Sequence, residues 1–147
     1  SFKPSLAELM SALKVVNARI RLGSLEVNVI TEKFLAELAT FDNFCDHFHL
    51  SLQSGGNNNL KKMNRHYTTE EYRHLCKKLR EVFDDCTLTT DVMVGFAGEN
   101  EDDFNESLRF IEEIGFEKVH VFPYSVRKGT RAEGRRTSKG WRKEAAQ

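Results

Sequence analysis

The sequence predicts an α/β fold of four strand–helix units, and three observations carry that prediction. Residues 19–24, 47–53, 88–96 and 119–124 concentrate or alternate apolar residues over strand-like lengths. The segments between them repeat apolar residues at helical spacing behind capping residues. Each strand run also ends in polar or small residues: Ser24-Leu25-Glu26, Gln53-Ser54-Gly55, Gly95-Phe96-Ala97-Gly98-Glu99 and Tyr124-Ser125. Strands separated by helices at this spacing form a parallel sheet with right-handed crossovers. Four such units make either half of an eight-unit, TIM-like barrel or a small open α/β sheet. Both collect ligands at the carboxyl ends of their strands.

Each element has its own signal. Residues 4–16 place Leu6, Leu9, Met10 and Leu13 on one helical face, with Pro4 in the first turn, where proline is tolerated. Residues 19–24 read as a short strand ended by Gly23-Ser24. Thr31 caps a helix over 31–41 with Phe34, Leu35 and Leu38 inward. Residues 47–53 are the second strand, and a Gly-Asn turn leads from it to a short helix over 60–63. Thr68 and Glu71 are spaced as a capping box. The helix they open extends to about residue 83, with Tyr72, Leu75, Leu79 and Val82 on its core face. Residues 88–96 are the third and longest strand. Asn100 caps the last helix, whose first turn carries Glu101, Asp102 and Asp103 as the helix dipole favours, and Gly115 ends it. Residues 119–124 are the fourth strand.

At 147 residues, 39% hydrophobic and 30% charged, the chain has the composition of one globular domain. No apolar run approaches the length of a membrane span, and no signal peptide is read at the start. The opening at Ser1 directly into helix-like sequence leads us to expect a piece of a longer protein. Cys45, Cys76 and Cys86 form no CxxC or CxxxCxxC, so neither zinc nor an iron–sulfur cluster has a local ligand set. Free thiols in a reducing cytoplasm are the expectation, with Cys76 packed in its helix. Net charge is zero, yet residues 127–147 carry eight basic residues against Glu133 and Glu144, so that end is +6 and the rest −6. Residues 1–131 are expected as the barrel domain and 132–147 as a basic, flexible tail. Because only Trp141 interleaves the charges, a solvated terminus is favoured over a nucleic-acid arm.

The strand ends hold the candidate site residues. His47, His49, Ser51 and Gln53 share one face of the second strand, and Phe48, Leu50 and Leu52 the other. A polar face on a buried strand needs partners, and a ligand-lined cavity supplies them. Each histidine alone reads better as a satisfied core residue, whereas Gln53-Ser54-Gly55 reads as ligand-facing because glycine lets a ligand approach the backbone. Asp91 lies among Val92, Met93 and Val94, so it is expected to be buried with Arg21 or Lys118 reaching it. An ion pair and a ligand contact stand equally there. Gly95 and Gly98 open the strand end to a nucleoside or amino acid, with Glu99 beside them or in the next helix turn. Arg65 is placed to clamp a carboxylate, or is a surface arginine. There is no phosphate loop of the GxxxxGK type and no HExxH.

Four linked runs carry a resemblance: residues 19–26 (RIRLGSLE), 50–55 with 62–67 (LSLQSG and KMNRHY), 90–99 (TDVMVGFAGE) and 121–130 (VFPYSVRKGT). Together they resemble the radical S-adenosylmethionine methylthiotransferases, most closely the subfamily modifying threonylcarbamoyl adenosine beside the tRNA anticodon. The likeness covers residues 4–131 in order and spacing. It implies two [4Fe-4S] clusters in such enzymes. One, on CxxxCxxC, cleaves S-adenosylmethionine to a 5′-deoxyadenosyl radical; the other supplies the sulfur. It places this chain on the later part of the barrel, from about the third strand to the sixth. By that resemblance Ser51, Gln53 and Ser54 lie near the S-adenosylmethionine ribose or methionine. Arg65 is a polar clamp, Asp91 to Gly95 flank the adenosine, and Glu26 and Tyr124 complete the lining.

Departures from the family pattern sharpen the expectation. The cluster cysteines are absent, Ala97 stands for the proline of VGFPGE, Val27 for the proline after SLE, Arg131 for the proline after RKGT, and Gly56-Asn57 for Cys-Asp. The chain is therefore expected to be part of a sulfur-inserting tRNA-modifying transferase, inactive alone because it does not ligate the radical-generating cluster. It is also expected to self-associate through open sheet edges. The alternatives are a non-catalytic module binding RNA or protein through its basic tail, and a radical enzyme acting on a small molecule.

Overall fold

A computed structural model describes residues 5–130 together with Ala132 and Glu133. The elements run α1 (Leu6–Leu13), β1 (Ser24–Leu25), a 3₁₀ turn (Val27–Val29), α2 (Glu32–Leu38), β2 (His47–Leu50), α3 (Asn57–Lys62), α4 (Thr69–Val82), β3 (Thr87–Val94), α5 (Glu101–Ile114) and β4 (Lys118–Pro123). The four strands form one all-parallel sheet in the order β1-β2-β3-β4. Apart from Ala132 and Glu133, the predicted basic tail lies outside the described residues.

The caps form as their sequences require. Thr31 accepts from the Phe34 amide, while Thr68 with Glu71 and Asn100 with Asp103 each make both halves of a capping box. Gly115 closes α5 at φ 65°, the left-handed conformation that only glycine adopts without strain. Period-two burial in β2 sends Phe48 and Leu50 into the core and leaves His47 and His49 half-buried. The core joins Phe48, Leu50, Leu52, Leu88 and Val92 of the sheet to Phe34, Leu38, Tyr72, Leu79, Phe110 and Ile114 of the helices. One sheet face is thus covered by helices, and the other, which carries His47, His49, Asp91 and Met93, is open.

Several predicted boundaries move. In the first strand only Ser24 and Leu25 join the ladder, with Ile20 making an isolated bridge to Phe44. This edge segment has one neighbour, and between those points the Arg21 side chain is spent on His47. β2 ends at Leu50 because Gln53 takes φ 66° and the Thr90 hydroxyl accepts the Leu52 amide. The chain resumes contact with β3 at the Gln53–Val92 bridge. α3 begins at Asn57 rather than near Leu60. Leu9 and Val82, predicted inward, are 52% and 39% exposed. Leu9 precedes the well-buried Met10 by about 100° of helix, and Val82 is the last residue of α4, beyond the core.

Candidate functional site

Beyond Leu50, β2 has no ladder partner for its last carbonyls, and two tyrosines take them. The one Tyr67 hydroxyl proton is shared between the Ser51 and Leu52 carbonyls, at 2.9 and 2.8 Å, and Tyr72 donates to that of Leu50 at 3.0 Å. Burial pushes the Tyr67 phenol up to about 12, so it remains a donor throughout the neutral range. These bonds fix the turn at which Gln53 is displayed. Gln53 itself is held in its positive-φ conformation by its amide donating to the Asp91 carbonyl (2.8 Å) and its carbonyl accepting from Met93 (2.9 Å). A non-glycine residue kept there stores strain, which concentrates at functional sites.

Next to it, the loop after β3 is locked from two sides. Gly95 and Gly98 take φ 71° and 83°, folding the chain so that the Glu99 carboxylate accepts the Gly95 and Phe96 amides, the latter at 3.1 Å. Asn59 of α3 donates to the other Glu99 oxygen at 2.9 Å. Burial raises the Glu99 carboxyl above its ordinary range, against the pull of those backbone bonds. Lys62 donates to the Gly98 carbonyl (2.7 Å) and pairs with Asp103 (3.2 Å), while Asn58 donates to Asp103 at 2.7 Å. Burial opposes ionisation of Asp103, but the bonds from Asn58, Asn100 and Lys62 outweigh it and hold its carboxyl low.

Together these elements frame a cavity of about 570 Å³ at the carboxyl ends of the strands, lined among others by Gln53, Asn58, Lys62, Arg65, Met93 and Phe96. A neighbouring cavity of about 310 Å³ shares Met93 and Phe96 and is lined by Phe122 and Tyr124, the Phe96 and Tyr124 rings meeting edge-on at 5.0 Å. The volume suits a ligand of nucleoside size, and the main cavity sets apolar side chains (Met63, Met93, Phe96) against polar and cationic ones (Gln53, Asn58, Lys62, Arg65).

The predicted site residues divide. Gln53 and Arg65 line the main cavity and Tyr124 the adjoining one. Glu26 stands at the rim, where it accepts from Arg65 at 2.9 Å, so the carboxylate that Arg65 clamps belongs to the chain. Asp91 lies on the open sheet face two residues before Met93. Its expected partners are replaced: His49 Nε2 contacts it at 3.1 Å, while Arg21 goes to His47. Its side chain is 30% exposed rather than buried, because that face carries no helix layer. Ser51 contributes its carbonyl to Tyr67. Ser54 is fully buried, its hydroxyl accepting from the Gly56 amide at 3.3 Å. Gly95 lies under Glu99. Gly55 serves the packing of α5: a Cβ there would stand 2.8 Å from both Phe110 Cβ and the Ser107 carbonyl oxygen.

The described residues assemble no ligand set for a metal cluster. Cys76 and Cys86 are buried, and burial raises both thiols, Cys76 to about 12, away from the thiolate a metal requires. Among the described residues no three His, Cys, Asp or Glu side chains gather as a ligand set. No described helix is long and apolar enough to cross a membrane.

Comparison with known proteins supplies the family. The radical SAM superfamily model matches residues 3–111. The chain is 39% identical over 132 residues to a tRNA-2-methylthio-N(6)-dimethylallyladenosine synthase of Clostridium tetani, covering 88% of this chain and 29% of that protein. It is 41% identical over 132 residues to the threonylcarbamoyladenosine tRNA methylthiotransferase MtaB of Bacillus subtilis, covering 90% and 29%. The chain thus spans under a third of the length of these relatives. Among solved structures, the coproporphyrinogen III oxidase HemN of Escherichia coli, a radical SAM enzyme, superposes with a TM-score of 0.72 at 17% identity, over 96% of this chain and 34% of that one. The cobalamin-dependent radical enzyme OxsB superposes with a TM-score of 0.58 at 16% identity, over 86% and 18%.

Proposed function

Because this chain belongs to the radical SAM superfamily and its four units are part of that family's barrel, we propose that it is the cofactor-facing portion of a tRNA methylthiotransferase. The observation that carries the reading is the cavity at the strand ends, where an amide (Gln53), apolar walls (Met93, Phe96) and a fixed glycine loop converge. In this reading Gln53 and Asp91 meet the ribose of S-adenosylmethionine. Met93, Phe96 and Tyr124 shield its adenine from water, and Arg65 with Glu26 closes the rim. Ser51 and Gly95 act through their backbone and Ser54 through its buried hydroxyl, holding Gln53 and the loop in place. The bound cofactor supplies one-electron chemistry once a cluster is present. The cluster ligands come from outside these residues, so the chain alone does not start the reaction.

The substrate side is a proposal of the same kind. Relatives named for dimethylallyl- and threonylcarbamoyl-modified adenosine match at similar identity, which supports methylthiolation of a modified adenosine in tRNA without choosing between them. A tRNA substrate supports the expected cytoplasmic location.

Two measurements test this. Calorimetric titration of the 147-residue chain with S-adenosylmethionine is expected to show saturable binding that Gln53→Ala weakens. Binding unchanged by that substitution, or none at all, overturns the placement of the cofactor. Anaerobic reconstitution with iron and sulfide is expected to leave no stoichiometric four-iron chromophore. Its appearance would overturn the claim that the cluster is held elsewhere.

A further inference from the structure

The open face of the sheet carries a line of polar side chains that ends at Asp91. Arg21 Nε donates to His47 Nδ1 at 2.9 Å. His47 Nε2 lies 3.2 Å from Thr89 Oγ1, which lies 2.9 Å from His49 Nδ1. His49 Nε2 lies 3.1 Å from Asp91 Oδ2. The strand register makes this line: His47 pairs with Thr87 and His49 with Thr89, so each imidazole falls beside a side chain of β3.

With the shorter Arg21 contact as the hydrogen bond, the two ends set one direction for the line. A guanidinium only donates, so His47 Nδ1 is a lone pair and its proton sits on Nε2, directed at Thr89. An ionised carboxylate only accepts, so the His49 proton sits on Nε2 and its Nδ1 is a lone pair. The single Thr89 hydroxyl proton then has one place to go, His49 Nδ1. All four bonds then point from the cation Arg21 to the anion Asp91. Arg21 Nη2 also lies 3.2 Å from His47 Nε2; a neutral ring has one lone pair for a guanidinium donor, and the shorter contact, Nε to Nδ1, is taken as that bond. Burial, and after it the Arg21 charge, lowers the His47 imidazole from its ordinary value, in keeping with a neutral ring. His120, the register partner of Asp91, is the other ionisable ring nearby, 6.1 Å from His49 between ring centres.

We propose that this directed chain orients Asp91, with His49 as the positioning residue: it ties Oδ2 down and presents Oδ1, which has no protein partner among the described residues, to the ligand. The inference rests on the reading that Asp91 meets the cofactor ribose. A fixed carboxylate accepts a hydroxyl proton without first losing rotamer freedom. An aligned series of hydrogen bonds polarises each member toward the anion.

The first test needs no ligand. Long-range proton–nitrogen NMR of the whole chain is expected to show His47 and His49 carrying their protons on Nε2, and Asp91→Ala is expected to release the His49 preference. An Nδ1–H tautomer at His49 overturns the chain. The second test is S-adenosylmethionine titration. His49→Phe is expected to weaken binding on the order of tenfold, as loss of a hydrogen bond to a charged group does. His49→Gln, which keeps an N–H for Asp91 and a carbonyl for Thr89, is expected to restore most of it. His49→Phe added to Asp91→Ala is expected to cost nothing further. Additive losses, or no rescue by glutamine, overturn the positioning role while leaving the cofactor reading intact. Wild-type affinity in Asp91→Ala overturns the contact itself, and the proposal falls with it.

Discussion

Asn59 Nδ2 donates to Glu99 Oε1 across 2.9 Å, and both residues are buried, with 0% and 5% exposure. Through this bond α3 holds the loop after β3 in the shape that borders the cavity. Removing the Glu99 carboxylate takes away the charged acceptor that the Gly95 and Phe96 amides share. Glu99→Ala is therefore expected to cost about 2–3 kcal/mol in urea unfolding, in line with the loss of buried hydrogen bonds to a charged group. Glu99→Gln keeps an acceptor for those amides and costs much less. The pH dependence has a definite sign. A carboxyl whose value is raised by folding binds more protons folded than unfolded, so its contribution is fully present below the ordinary carboxylate range and is lost as pH rises through the raised value. Wild-type stability measured relative to Glu99→Gln should fall from pH 4 toward neutrality; a flat difference would refute the shift.

Gly55 leads to a second expectation. Its added Cβ would meet Phe110 Cβ and the Ser107 carbonyl oxygen at 2.8 Å and the Ser107 Cα at 2.9 Å. Two of these are backbone atoms of α5, which yield only if the helix moves, and the Gly55 amide also donates to Ser107 Oγ at 2.8 Å. Gly55→Ala is expected to destabilise by about 1–3 kcal/mol, the usual range for overpacking. Chemical denaturation reads this directly, and an alanine variant as stable as wild type would show that α5 is free to shift.

Local signals reached the elements and most of their ends. The capping pairs Thr68–Glu71 and Asn100–Asp103 and the left-handed Gly115 each depend on residues within a turn of one another, so the sequence displays them directly. The alternation of β2 likewise told which face is polar. What stayed hidden depends on register. That His49, and not Arg21 or Lys118, meets Asp91 follows from the pairing of His49 with Thr89, which no local pattern encodes. The inward turn of Glu99 follows from two positive-φ glycines acting together, each of which alone reads only as a flexible point. Tyr67 and Tyr72 as donors to the end of β2 were missed for the same reason, although a tyrosine on a buried helix face is a signal that its hydroxyl has a partner.

Gln53 separates stability from binding. Its φ of 66° places an ordinary side chain in the left-handed region, a cost of about 1–2 kcal/mol that glycine does not carry. Glycine loses about 0.5–1 kcal/mol more chain entropy on folding, so Gln53→Gly should leave stability unchanged or slightly raised. The same variant removes the amide from the cavity and should weaken S-adenosylmethionine binding. Gln53→Val, branched at Cβ, should instead lower the unfolding midpoint. Equal stability of the valine and glycine variants would remove the case for strain at this position.

The open edge and face of β4 lead to the last expectation. Val121 is the register partner of Val92, which is 2% exposed, yet Val121 itself is 45% exposed because no described helix follows β4 to cover it. On the opposite face Phe122, partner of Met93, is 36% exposed. A six-residue strand with one free edge and apolar side chains on both faces is a template for pairing with another chain, and only Lys118 and Pro123 at its ends discourage it. We therefore expect the isolated chain to self-associate, with a sedimentation coefficient that rises with concentration. Val121→Lys places a charge where a second sheet or helix would pack and should shift the distribution toward monomer without disturbing β3, whose covered face Val92 already seals. A single monomeric boundary at the highest concentration reached would mean that the ends of β4 protect it sufficiently, and that the edge alone does not drive association.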